Sequence, residues 1–227
     1  YAKPDPQSRS LGWKVLDDVV TIQSDLIGTD GKLWHDIGEG YLLANEVQPV
    51  AQIWNKAAVS VSEMGSIGEV TVPFTDARRK PDMLAPVAYR LYYASTYWVK
   101  GVVTDSAKRA WYKLYDERLG IFYYAEARAI RLIPADEQAA LSPDVADKRI
   151  SVDLKAQQLT AFEGKSEVFS TRVSTGRIYL VEDGSAQSWT PAGSYVVNRK
   201  RPTRHMGFGE AAGSDYELPG VPWVSYF

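Results

Sequence analysis

The sequence contains no cysteine. Within these residues that excludes a disulfide framework, a thiolate metal site and a cysteine nucleophile. Histidine is almost as scarce, with only His35 and His205, far apart in the chain. No H-x-x-x-H spacing exists, so carboxylates would have to complete any metal site, and none is expected. No apolar run approaches the ~20 residues of a membrane span. The opening Tyr1-Ala-Lys-Pro-Asp-Pro-Gln-Ser8 has no apolar signal core. The expectation is therefore that the protein is not exported, or that a signal was removed ahead of this numbering. Charge of one sign is also missing: 26 Lys and Arg face 28 Asp and Glu, a net of -2. That balance argues against a nucleic-acid partner, whose binding domain is usually clearly basic. Long amphipathic helical periods are scarce, which predicts a mainly β chain.

What the sequence does have is aromatic residues, with seven Trp and fourteen Tyr in 227 residues. At 45% hydrophobic it is globular material, long enough for one large domain or two to three small ones. Residues 1–10 are polar, carry two prolines and read as a tail or linker. Short strand patterns follow at Trp13-Lys-Val-Leu16, Val19-Val-Thr-Ile22 and Leu33 to Ile37, with a turn signal at Gly28-Thr-Asp-Gly31. Gly40 to Pro49 reads as one more strand and a closing turn.

A second stretch runs through Glu69-Val-Thr-Val-Pro73, the aromatic run Tyr89 to Trp98, Ala110 to Tyr115, Phe122 to Ala125 and Ile130 to Pro134. Thr75-Asp-Ala-Arg-Arg-Lys80 reads as a charged loop. The order Trp34, Gly40-Tyr41, Val47, Pro49 returns loosely as Trp111, Gly120-Ile-Phe122, Ile133-Pro134. That suggests two copies of one small barrel module, at 11–50 and 51–134. Residues 135–147 are small and acidic and read as a linker. From Lys148 the alternation is cleaner: Ile150, Val152 and Leu154, then Leu159 to Phe162, then Val168 to Val173, with a tight turn at Glu163-Gly-Lys165.

Residues 148–227 resemble the L,D-transpeptidase catalytic domain, the YkuD-like fold. Arg149 to Gly164 is similar to the family's opening hairpin, and Phe169-Ser-Thr-Arg-Val-Ser-Thr-Gly176 to its strand ending in V-S-T-G. Thr190-Pro-Ala-Gly193 matches its T-P-x-G, followed by an expected strand Ser194 to Asn198. Arg204-His-Met-Gly207 resembles the start of the lid over the active site, and Tyr216 to Phe227 the strand leading into the catalytic core. The preceding aromatic-rich region more loosely resembles bacterial Src-homology-3-like (SH3-like) modules. The resemblance thus implies SH3-like barrels followed by the N-terminal part of a YkuD-like β-sandwich.

The family's catalytic His and its Ser/Thr-His-Gly-Cys motif come after the last of these strands. The expectation is a C-terminally truncated domain, with no catalytic residue in this chain. The activity implied for the parent is cysteine-dependent acyl transfer cross-linking peptidoglycan stem peptides through a thioester, in the cell wall or periplasm, with no cofactor. The alternative is a non-catalytic peptidoglycan-binding protein. Partners implied are stem peptides, and glycan strands or an anionic cell-wall polymer. A nucleic-acid-binding barrel ranks below both.

Taken singly, Thr190-Pro-Ala-Gly193 reads as a turn, since Pro fixes φ and Gly tolerates φ > 0. His205 alone reads as a solvated or packing histidine, because one His without a nucleophile carries no mechanism. Through the resemblance, His205 and Met206 are the expected substrate-binding residues, as part of the lid. Arg199, Lys200, Arg201 and Arg204 read first as a solvated strand edge. The aromatics read as core for the inward half and as a glycan or peptide platform for the outward half.

Overall fold

The computed structural model describes residues 1–176, 178–180, 186–207 and 217–227, with the side chains of 178–180 and 186–188 left aside. It is mainly β, as the sequence predicts; the described residues hold strands and three single 3-10 turns but no α-helix. Two compact units form. One comprises Tyr1–Ile133 with Lys200–Val224, the other Pro134–Arg199 with Ser225–Phe227.

In the first unit, β1 (Ser24–Ile27), β2 (Leu33–Asp36) and β3 (Tyr41–Leu43) make an antiparallel sheet in that order. The strands expected at 13–16 and 19–22 are absent. Asp17 is left-handed (φ 77) and the Asp18 carboxylate accepts the Val15 N–H, so the Asp17-Asp18 pair turns the chain. Trp13 is left 91% and Leu16 82% exposed. Tyr1, by contrast, is tied in. Its amino group donates to the Tyr41 carbonyl at 2.9 Å, the Tyr41 N–H donates back, and its ring meets Trp34 edge-on.

A seven-stranded antiparallel sheet follows: β4 (Ser66–Val70), β5 (Phe74–Arg78), β6 (Val87–Tyr92), β7 (Thr96–Thr104), β8 (Ala110–Asp116), β9 (Ile121–Glu126) and β10 (Ile130–Leu132), ordered β10-β4-β7-β8-β9-β5-β6. The charged loop expected at 75–80 is in large part strand β5. Its Asp76 pairs with Arg90 across the β5–β6 hairpin at 3.1 Å, and Ala77 alternates into the core. Strand β7 is long enough to pair with β4 through its first half and with β8 through most of its length. A bulge between Val99 and Gly101 lets it bend between the two. Period-2 alternation sends Tyr97, Val99, Tyr112, Leu114, Tyr123 and Ala125 into one core with Val70, Leu91 and Ile130. Each such large side chain stabilises the fold by roughly 1.5–3 kcal/mol.

The repeat glimpsed in the sequence has a geometric counterpart. Trp34 faces Leu43 across β2–β3, and Trp111 faces Glu126 across β8–β9. In both cases a three-residue 3-10 turn starts at the next residue, Ala44–Glu46 and Ala127–Ala129. In both, five residues separate the Trp strand from the one before, and a loop aspartate accepts the buried indole N–H: Asp30 at 3.0 Å and Asp105 at 3.1 Å. Tyr41, bonded to Tyr1, thereby corresponds to Tyr124, which pairs with Arg78 of β5.

In the second unit, β11 (Lys148–Asp153), β12 (Gln158–Glu163) and β13 (Ser166–Arg172) form a meander. Register puts Ile150, Val152, Leu159, Ala161 and Phe169 on one face, with Arg149, Ser151, Thr160, Phe162 and Ser170 on the other. Gly164 (φ +58) makes the expected tight turn, a conformation glycine adopts without steric cost. Short β14 (Ile178–Leu180) and β15 (Ala186–Ser188) pair with each other. The strand expected at Ser194–Asn198 does not form. Tyr195 folds back so that its hydroxyl donates to the Pro191 carbonyl, and of these residues Asn198 donates its N–H to Tyr226. The last two strands, β16 (Arg199–Gly207) and β17 (Glu217–Tyr226), pair as a two-stranded ribbon. Tyr216, the first residue of the last expected strand, lies outside the described residues.

Candidate functional site

Alternation along β16 buries Thr203 and His205 and leaves Arg204 and Met206 half-buried on the opposite side. Thr203 donates its hydroxyl to the Thr96 carbonyl, and the Thr96 hydroxyl donates to Pro202. His205 Nδ1 lies 2.6 Å from Asp116 Oδ2, with side chains 4% and 1% exposed. A carboxylate accepts, so Nδ1 is the donor and the tautomer is fixed. The other oxygen, Asp116 Oδ1, accepts the backbone N–H groups of Arg118 and Leu119 at 2.9 and 3.1 Å, holding the β8–β9 turn. Nε2 is buried and makes no hydrogen bond among the described residues; Glu217 Oε2 stands 3.8 Å away.

Tyrosines surround this pair. Tyr89 meets the imidazole edge-on at 5.6 Å. Tyr97 donates its hydroxyl to the Pro219 carbonyl at 3.0 Å, and Gly220 (φ +79) sits so close that a Cβ would fall 2.3 Å from the Tyr97 ring. Burial pushes the phenols of Tyr97 and Tyr123 well above their ordinary range. It also raises Tyr89, with Glu217 and Asp116 adding to the shift. A small cavity of about 20 Å³ lies among Tyr97, Asp116, Tyr123, Thr203, His205 and Gly220. It has room for about one water. The arrangement is a buried hydrogen-bonded clip holding the ribbon 200–224 to the seven-stranded sheet. Among the described residues no nucleophile stands at Nε2.

His35 belongs to a different sheet and does not join His205. It pairs with Asp25 directly across β1–β2 at 2.7 Å. Among the described residues no group of three His, Cys, Asp or Glu side chains could hold a metal.

In the second unit the V-S-T-G and T-P-A-G motifs touch. The Gly176 N–H donates to Thr190 Oγ1 at 2.8 Å, and a Cβ at Gly176 would lie 2.8 Å from the Thr190 nitrogen. Thr175 is held by Gln157, whose side chain accepts its N–H and donates to its hydroxyl. Of the basic run, Arg201 bonds Glu117, Arg199 stacks over Tyr226 at 4.3 Å, and Lys200 is exposed.

Sequence reasoning found His205 but not its partners. Asp116 opens the turn Asp116-Glu-Arg-Leu-Gly120, the kind of position where an aspartate caps backbone N–H groups. That was the available signal for Asp116; its pairing with a residue 89 positions away left none.

Residues 147–225 match the family model of YkuD, the L,D-transpeptidase catalytic domain. The matched stretch includes strand β16, which carries His205 and Met206. No curated protein and no solved structure matches the chain.

Proposed function

We propose that the chain is the front part of a peptidoglycan L,D-transpeptidase, working outside the membrane on the cell wall. The observation that supports this is the YkuD match over 147–225, on which the V-S-T-G and T-P-A-G segments sit in contact. The family nucleophile is a cysteine, and this sequence has none. In this reading the thiolate and its histidine come from sequence beyond residue 227. The thiolate attacks the carbonyl preceding D-Ala of a donor stem tetrapeptide. D-Ala leaves, a thioester forms, and an acceptor amine resolves it and releases the thiol. A neighbouring His lowers the thiol pKa, and backbone N–H groups hold the oxyanion.

His205 serves by fixing the ribbon, and Met206, on the side of β16 away from the core, contacts the stem peptide. The two Trp–Asp modules are SH3-like, one abbreviated (11–50) and one complete (51–134). They hold the enzyme on peptidoglycan and raise the local substrate concentration.

The test is D-Ala release from a stem tetrapeptide. The 227-residue chain is expected to be inactive, and a chain extended in frame through a downstream Ser/Thr-His-Gly-Cys motif active. A stop codon directly after Phe227 in the source gene would refute the transpeptidase reading and leave a non-catalytic peptidoglycan-binding protein.

A further inference from the structure

The outer face of the seven-stranded sheet carries a row of rings that the core does not use. Register sets Trp98 of β7 opposite Tyr115 of β8, and Tyr115 opposite Phe122 of β9. Tyr115 and Phe122 lie 5.1 Å apart with planes tilted by 42°. Phe122 is 41% exposed, and Trp98 and Tyr115 are half-buried. In the next row Lys113 faces Tyr124, and its ammonium reaches back over Phe122 at 3.9 Å. The Lys100 ammonium, on the bulge, lies 5.0 Å from the Trp98 ring. Among the described residues Lys113 has no carboxylate partner.

We infer that this row binds the glycan strand of peptidoglycan: the ring faces stack on successive sugars, and Lys113 and Lys100 meet carboxylates carried by the polymer. The inference rests on the cell-wall reading above. Two observations favour a sugar chain over a peptide, and the charge of the face fits an anionic one. The three strands are interior to the sheet, so they have no unpaired edge to extend a peptide by strand addition. Strands lie ~4.8 Å apart, which sets successive rings about one sugar apart along a line across the sheet. The free charge on the face is positive, complementary to an anionic polymer and wrong for a basic one.

The experiment is calorimetric titration of the 227-residue chain with three probes. They are peptide-free glycan strands from amidase-treated peptidoglycan, neutral N-acetylglucosamine oligomers, and free stem tetrapeptide. Both sugar probes are expected to bind. Phe122→Ala weakens both about tenfold. Lys113→Ala weakens only the carboxylate-bearing strands. Tyr92→Ala, which removes a comparably exposed ring elsewhere on the sheet, changes neither. Far-UV circular dichroism confirms that each variant is folded. Binding of the tetrapeptide but of neither sugar overturns the inference, as does an F122A variant that is folded and binds like the parent. D-Ala release by the extended chain without glycan binding sinks this inference and leaves the transpeptidase reading standing. Glycan binding without D-Ala release does the opposite.

Discussion

Replacing His205 with Ala removes one side of the clip that holds the ribbon to the sheet. Three losses follow. The hydrogen bond to Asp116 has an ionisable acceptor, a class worth about 1.5–3 kcal/mol. The edge-on contact with Tyr89 adds about 0.5–1.5 kcal/mol. Asp116 is left buried without its imidazole, but it keeps the N–H groups of Arg118 and Leu119. That retention places the cost near the lower end of the ~3–5 kcal/mol typical of a broken buried pair. The loss is local. Amide hydrogen exchange at 200–207 and 217–224 is expected to speed up by about two orders of magnitude, while the β8 and β9 core amides change far less. A double-mutant cycle with Asp116→Asn is expected to show a coupling of about 1 kcal/mol or more. Exchange in the ribbon within a factor of three of the parent, together with near-zero coupling, would refute the clip.

Four other outcomes follow from the same physical reasoning. Tyr97→Phe loses the bond to Pro219 and is expected to cost about 1 kcal/mol in urea unfolding. Gly220→Ala costs more, about 1–3 kcal/mol from its positive φ alone, because its Cβ also collides with the Tyr97 ring. Burial disfavours the charged form of Asp105. Hydrogen bonds from the Arg109 backbone, the Trp111 indole and the Arg109 guanidinium outweigh burial and hold its pKa at about 2. With the folded value below the unfolded ~3.9, its stabilisation is fully present above about pH 4 and is lost as pH falls toward 2. Acid-unfolding curves of Asp105→Asn should be flatter than the parent's in that window. Leu91→Ala, in the centre of the core, should cost about 2–5 kcal/mol in the same urea assay.

The strands legible in the sequence were those marked by short runs that alternate apolar with polar side chains. Leu33–Asp36, Ala110–Asp116 and the meander from Lys148 were all visible because period-2 patterning is a local property. Trp13–Ile22 has the same local pattern but no partner strand, and two adjacent aspartates turn it. Thr75–Arg78 looked like a loop because its charges are satisfied across a hairpin, by Arg90 on β6. The Trp repeat was readable, but its true register was not. The sequence suggested matching Tyr41 to Phe122, whereas strand pairing matches it to Tyr124. At the site, the fixed motifs around Gly176 and Thr190 were legible as motifs. The partners of His205 were not, since no local rule links Asp116, Tyr97 and Gly220 to a histidine so far along the chain.

The match to the YkuD family model starts at 147 in sequence, yet the ribbon within it is clipped onto the sheet at Asp116, Tyr97 and Thr96. A recombination event or an expression boundary placed in the acidic stretch 135–147 would therefore cut through one folding unit. The freed C-terminal piece would carry an unpartnered imidazole and an uncovered Gly220, and the remaining sheet would expose the carboxylate of Asp116. Inheritance of the two regions is thereby coupled. The seven-stranded sheet would be a poor candidate for swapping with another module unless the replacement also supplied an aspartate and a tyrosine at the same two points.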